Sequence, residues 1–335
     1  MNRALWLLVL ALAGCGAPAA PLPLHVPGPG PAETGPSPSA APPVRIDGRL
    51  AFSRGHNIWI LEGETARQLT DLGSIQNPAW SPDGSLLAFD RAGKNSADLW
   101  LLPYPGGPAR AISSNASRVV DNNFWDMQPA WSADGGSLVY ASDRGRTRTG
   151  TLDLAAWRLN LSTHARTQLT GANLYTGGID YPSFRPGSSS DVLYTSWTYL
   201  LNNPEAFGQL MLLDTKTMKA APLTDAGQTA MQASWSPDGE HVAFVRRLQG
   251  ENQIWLAPFP ARGSLLDEAT LLVGGMNAHP VWSPRGDAIA YIGLQDGSFD
   301  LFLQPLNGDL TTAGKPRQLT RGLRVDADSS ISWTA

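Results

Sequence analysis

Six hydrogen-bonding or amphipathic residues, Asn77, Gln128, Tyr181, Gln232, His279 and Ser330, each stand three positions ahead of an aromatic anchor. The anchors are Trp80, Trp131, Phe184, Trp235, Trp282 and Trp333, so the spacings are 51, 53, 51, 47 and 51 residues. One structural position is therefore filled six times with polar groups. Gathered around an axis, they would grip a polar ligand, a cation or an inserted peptide, or simply solvate a water-filled channel. Carboxylates lie nearby in the sequence: Asp71, Asp121, Asp126, Asp180, Asp225, Asp326 and Asp328, against Arg118, Arg321 and Arg324. Two carboxylates at a defined separation are the acid–base machinery of glycosidic cleavage. Asp126 and Asp180 are thus the candidates for a polysaccharide lyase or hydrolase, the alternative being a binder of carbohydrate or ions without catalysis.

Other chemistries find little in the chain. The five histidines occupy nonequivalent repeat positions without metal-ligand spacing. There is no nucleophile elbow, zinc-protease helix motif, phosphate-cradling loop or paired-cysteine motif. No catalytic residue, resident metal or cofactor is called for, although the channel would accommodate a calcium ion or another cation. The net charge of −4 argues against nucleic acid, whose phosphates demand a dominant basic surface.

The elements that position these residues are legible in PAWSPDGSLLAF at 78–89. An apolar strand enters a Ser-Pro-Asp-Gly turn, in which Pro82 presets its own φ and Gly84 takes the positive φ of a tight reversal. A second strand follows, then a third (DLWLL at 98–102) and a short fourth ending near Ile112. Four short strands per repeat of about 50 residues describe a propeller blade. The first copy, GRLAFSRGHNIWIL, lacks a leading strand, and the last, SSISWTA, has only that strand. Together they make one blade, so an all-β, six-bladed β-propeller over 45–335 is expected, its ring closed by pairing the C-terminal strand with the N-terminal blade. Such closure leaves no exposed sheet edge. The chain's 34 Gly, 27 Pro and 16% charged residues suit many strands and turns.

The PxWSPDGxxLAF…DLW…LT units, with a degenerate turn after Trp131 (Ala133 replaces proline), after Phe184 (RPGSSSD) and after Trp282 (Arg285 replaces aspartate), resemble the TolB-like propeller family. That resemblance implies a six-bladed fold and a binding role in a periplasmic cell-envelope complex. It implies no catalytic activity. The family's founding member carries an α/β domain ahead of the propeller, where this chain has a proline-rich segment.

Residues 1–15, MNRALWLLVLALAGC, combine Arg3, a short apolar run and Leu-Ala-Gly-Cys. The run reads as an export signal rather than a membrane span. Leu-Ala-Gly-Cys resembles the bacterial lipoprotein box, which would acylate Cys15, the single cysteine of the chain. Residues 16–44 are rich in proline and poor in bulky apolar groups, the composition of a disordered tether with a fully extended reach of roughly 85 Å.

Loops that differ between blades carry the functional information. The connections between blades, which bear the acidic residues, should surround one mouth of the channel. Loops joining second to third strands should emerge further out on that face, with Arg144, Arg146 and Arg148 in blade three and a partly apolar WTYLLNNPEAFG insertion bearing Trp197 and Tyr199 in blade four. The expected protein is an exported, membrane-anchored lipoprotein facing periplasm or cell exterior. It is read as a monomer that captures an envelope protein or peptide at the mouth and meets the membrane only through its lipid anchor.

Overall fold

The computed structural model describes residues 44–145, 153–171, 177–199, 206–260 and 263–335. Cys15, the export signal, the proposed tether up to residue 43, Arg146 and Arg148 lie outside them.

Within each blade the local code is carried by the turn after the innermost strand. In blade two the Ser81 hydroxyl donates to Asp83 (2.6 Å), and Asp83 accepts from the Ser85 amide (3.1 Å). Those bonds hold the Asp83 carboxyl down to about 2. Gly84, at φ +67°, donates its amide to the Ser81 carbonyl, and the chain reverses into the second strand.

Six four-stranded antiparallel sheets result. Blade one joins Ser332–Thr334 to Ile46–Arg54, Asn57–Gly63 and Thr65–Gln68. Blade two holds Ile75–Trp80, Leu86–Ala92, Ala97–Pro103 and Arg110–Ala111, and blade three Asp126–Trp131, Ser137–Ser142, Ala155–Asn160 and Arg166–Gln168. Blade four holds Ile179–Phe184, Asp191–Tyr199, Ala206–Asp214 and Lys219–Pro222. Blade five holds Ala230–Trp235, His241–Leu248, Glu251–Pro258 and Thr270–Val273, and blade six Asn277–Trp282, Ala288–Gln295, Ser298–Pro305 and Arg317–Gln318. The closure read from the split repeat is present: Arg49, Leu50 and Ala51 pair with Thr334, Trp333 and Ser332.

The aromatic anchors pack between blades. Trp80 joins Ala51, Ile58 and Ile60 of blade one to Leu87 and Phe89 of blade two, and Trp235 joins Leu193 and Leu210 to Val242 and Phe244. Their indoles also clasp the preceding blade: Trp131 Nε1 donates to the Ala79 carbonyl (2.9 Å) and Trp282 Nε1 to that of Ser234 (3.2 Å). The Arg49 guanidinium lies 5.0 Å from the Trp80 ring, and Arg185 lies 5.8 Å from that of Trp235. Cation–π contacts of this kind add to the apolar burial.

Candidate functional site

The innermost strands surround an axial cavity of about 270 Å³. Its wall is made by Pro129, Pro182, Pro280, Val281 and Ile331, and it reaches Phe184, Pro186 and Trp235 at the turn end of those strands. Five of the six repeated polar residues, Gln128, Tyr181, Gln232, His279 and Ser330, line its other end. They form a floor rather than a mouth, because blades four and six meet there across the axis. The Tyr181 and His279 rings stand edge to face at 4.8 Å, and the Tyr181 hydroxyl reaches the Asp328 carbonyl at 3.4 Å. Burial keeps His279 neutral, pulled down to about 3, and pushes the Tyr181 phenol up, with the carboxylates of Asp180, Asp328 and Asp90 adding to the shift.

The repeated position also has a backbone role that its side-chain types do not announce. Asn77, Gln128, Tyr181, Gln232 and His279 all have φ between 49° and 55°. The pairing register shifts at each of them, so each is a bulge. The bulge turns a backbone N–H toward the neighbouring blade, where it needs an acceptor. In blade two that acceptor is Ser329 Oγ for Asn77, at 2.8 Å. Gln128 donates to Asp90 Oδ1 at 2.9 Å and Gln232 to Thr195 Oγ1 at 3.3 Å. Asp90 and Thr195 hold the same place in the second strands LAFD and VLYT. Where that place is apolar, Ala141 in blade three and Val245 in blade five, a floor glutamine substitutes: Gln128 Oε1 accepts from Tyr181 N (2.9 Å) and Gln232 Oε1 from His279 N (3.1 Å). Asn77 Oδ1 likewise accepts from Ser330 N at 2.9 Å.

The floor side chains are therefore staples between blades. Gln232→Ala is expected to lower stability by about 1–3 kcal/mol, since it leaves the buried His279 N–H without an acceptor. Val245→Thr in that background, copying Thr195, should recover part of the loss. Urea unfolding midpoints decide this, and an unchanged midpoint for the single variant would refute the staple.

Asp90 is a blade-joining residue beneath the floor whose role the motif does not announce, because it looks like part of the strand repeat. It is fully buried and also accepts from Asn77 Nδ2 (2.8 Å). Burial raises its carboxyl to about 7, although the Gln128 and Asn77 bonds oppose the shift. Comparison of LAFD with LVYA and VAFV is the signal that would have found it.

The two carboxylates considered for glycosidic chemistry are engaged elsewhere. Asp126 is fully buried in blade three, where Oδ1 accepts from Ser142 Oγ (2.6 Å) and pairs with Arg144 Nε (3.2 Å). Arg144 also donates to Asn115 and lies 4.5 Å from the Phe124 ring, so it is a packing residue rather than a free outer-loop cation. Asp180 accepts from Gln128 Nε2 (3.2 Å) and Trp197 Nε1 (2.6 Å), and burial raises it to about 6. Trp197 is thus turned inward on a strand, not displayed on a loop. Tyr199 is the last residue of the same strand, which runs beyond the point where a loop was expected. Among the described residues no three His, Cys, Asp or Glu side chains are gathered as metal ligands.

No protein-family model matches the chain. Over 245 residues it is 24% identical to the Tol-Pal system protein TolB of Francisella tularensis subsp. mediasiatica, an overlap of 70% of this chain and 49% of that protein. The crystal structure of TolB from Acinetobacter baumannii superimposes with a TM-score of 0.63 at 17% identity, covering 85% of this chain and 66% of that one. An oligogalacturonate lyase in complex with manganese does so with a TM-score of 0.53 at 15% identity, covering 79% and 70%. The ring, its closure and its staples define a six-bladed β-propeller. Within that class the fold is that of the TolB-like propellers. The chain spans about half the length of the TolB relatives it matches.

Proposed function

We propose that this chain is an exported propeller of the cell envelope that holds a segment of a protein partner in its axial cavity and performs no catalysis. The observation that carries this reading is the cavity itself. It is closed at one end by uncharged hydrogen-bonding groups and walled by proline, alanine, valine and isoleucine, with Phe184 and Trp235 at its turn end. Such a lining suits a peptide segment, whose backbone needs few but well-placed partners. A lyase or hydrolase would need carboxylates facing its substrate, whereas Asp126 and Asp180 are occupied by Arg144, Ser142, Gln128 and Trp197. The likeness to the Tol-Pal system protein TolB supports an envelope location, and acylation at Cys15 would tie the chain to a membrane. Among the described residues no helix is long and apolar enough to cross a membrane.

The reading changes where a ligand enters. A mouth ringed by acidic loops was expected, but the cavity extends away from that face, toward the turns. A photo-crosslinking residue placed at Val281 or Ser332 on the wall should yield a discrete protein adduct in the native envelope. The same residue at Arg317, on the outer strand of blade six, should yield none. Absence of an adduct from both wall positions would overturn the proposal, and release of unsaturated or reducing sugars from envelope glycans would replace it with the enzymatic reading.

A further inference from the structure

Seven large hydrophobic side chains are exposed among the described residues, and five of them, Leu72, Val119, Val120, Leu248 and Leu294, share one face. Their placement follows from the antiparallel blades. Leu72 and the Val119–Val120 pair lie in connections from one blade to the next, whereas Leu248 and Leu294 end second strands in blades five and six. Both kinds of loop emerge at the floor end of the cavity. Exposures from 36% to 56% make these residues tips rather than edges of the core. Met218 lies in a turn at the opposite end, and Leu271 on the outermost strand of blade five.

The tips keep basic company. Arg118 precedes Val119, Arg247 precedes Leu248, and Arg91 Nη2 donates to the Leu72 carbonyl at 3.0 Å. Arg321 and Arg324 stand exposed on the connection from blade six to blade one, and Lys94 on the hairpin of blade two. Several carboxylates of this face are committed to the fold. Asp326 accepts from the Gly55 and His56 amides (3.0 and 2.8 Å), Asp328 from Gln76 (2.8 Å), and Glu251 from Gln253 and the Gly275 amide (2.9 and 3.1 Å). Asp71, Asp121, Asp225 and Asp296 remain exposed there, the bonded carboxylates keep their charge, and together they set the limit on the attraction of this face for anions.

We propose that the floor-end face docks on an anionic lipid surface, the aliphatic tips entering the headgroup–acyl boundary and the neighbouring guanidinium groups meeting lipid phosphates. A protein hot spot is a contiguous patch centred on aromatic residues and arginine. These tips are aliphatic and sit on separate loops around a ring, an arrangement that a deformable lipid interface accommodates. Buried apolar area and attraction to anionic headgroups act together in such binding. Docking in this orientation turns the open end of the cavity away from the membrane. The inference is independent of acylation at Cys15 and of what the cavity holds.

The test is flotation of the full chain carrying Cys15→Ser, so that no acyl chain contributes. It should float with vesicles of phosphatidylglycerol and phosphatidylethanolamine and remain behind with phosphatidylcholine alone. Partitioning should fall about tenfold between roughly 0.1 and 0.5 M salt. It should fall by about tenfold again in Val119→Ser with Val120→Ser, and likewise in Leu248→Ser with Leu294→Ser. Leu271→Ser, equally exposed but on the outer strand, should leave it unchanged. Failure to float, or flotation that survives all four serine substitutions, overturns the proposal. Failure to float combined with loss of the envelope adduct in the Leu248→Ser, Leu294→Ser protein assigns the face to a protein partner instead.

Discussion

Removal of residues 329–335 is expected to abolish folding of the monomer. The segment supplies the innermost strand of blade one, pairing Ser332, Trp333 and Thr334 with Ala51, Leu50 and Arg49. Leu50 and Ala51, both fully buried, would become a bare sheet edge. Further bonds go with it: Trp80 N to Ser332 Oγ at 3.0 Å, Trp333 Nε1 to the Asp47 carbonyl at 2.8 Å, and Ser330 N to Asn77 Oδ1 at 2.9 Å. Ser329, fully buried, links Asn77 N to Ser53 Oγ. Burial of Ile331 contributes about 2–3 kcal/mol, and each bond about 1 kcal/mol more. A total above about 5 kcal/mol rivals the whole stability of a typical domain. Light scattering on the truncated chain should show aggregates or multimers in place of a monomer. A monodisperse monomer with an unaltered melting temperature would show that blade one holds without its closing strand.

The second large effect concerns Asp90 and has a definite sign. Its carboxyl is raised from 3.8 to about 7 in the folded protein. Between those values the unfolded chain releases the proton and the folded chain keeps it, so stability falls as pH rises through this window. Asp180, raised to about 6, acts in the same direction. Asp90 therefore contributes roughly 3 kcal/mol more stability near pH 5 than near pH 8. Asp90→Asn keeps an acceptor for the Gln128 amide and Asn77 Nδ2 but cannot ionise. Its melting temperature should exceed that of the parent at about pH 8 and match it near pH 5. Thermal melts of both proteins across this range settle the matter, and an Asp90→Asn protein whose profile runs parallel to the parent's from about pH 5 to pH 8 would show that Asp90 ionises without cost. Carboxylates such as Asp238, held below their usual range by Ser236 and the Glu240 amide, lose stabilisation only at lower pH, whereas His279, held down to about 3 by burial, opposes the trend up to its ordinary value of 6.5, because there only the unfolded chain binds its proton.

How far the sequence could be read depends on how local the responsible physics is. The Ser-Pro-Asp-Gly turns were legible because Asp83 bonds only to Ser81 and Ser85, residues two positions away. Strand number, blade number and the anchoring indoles followed from six repetitions of that local code. The outward position of Arg144 and the loop position of Trp197 did not survive, because each depends on register. Pairing of Asp126 with Ser142 brings Arg144 onto a carboxylate that sequence spacing left as a free mouth residue. Pairing of Ile179 with Ser196 sets the Trp197 indole against Asp180.

By itself the sequence determined a closed six-bladed ring and the places where it breaks its own pattern. Only the tertiary structure decided that the six polar residues staple blades, that Tyr181 and His279 close one end of the channel, and that the cavity opens toward the turns. The reason is physical: turns and strand periodicity are settled among near neighbours. A bulged N–H, by contrast, takes whichever acceptor the adjacent blade presents, about fifty residues away along the chain.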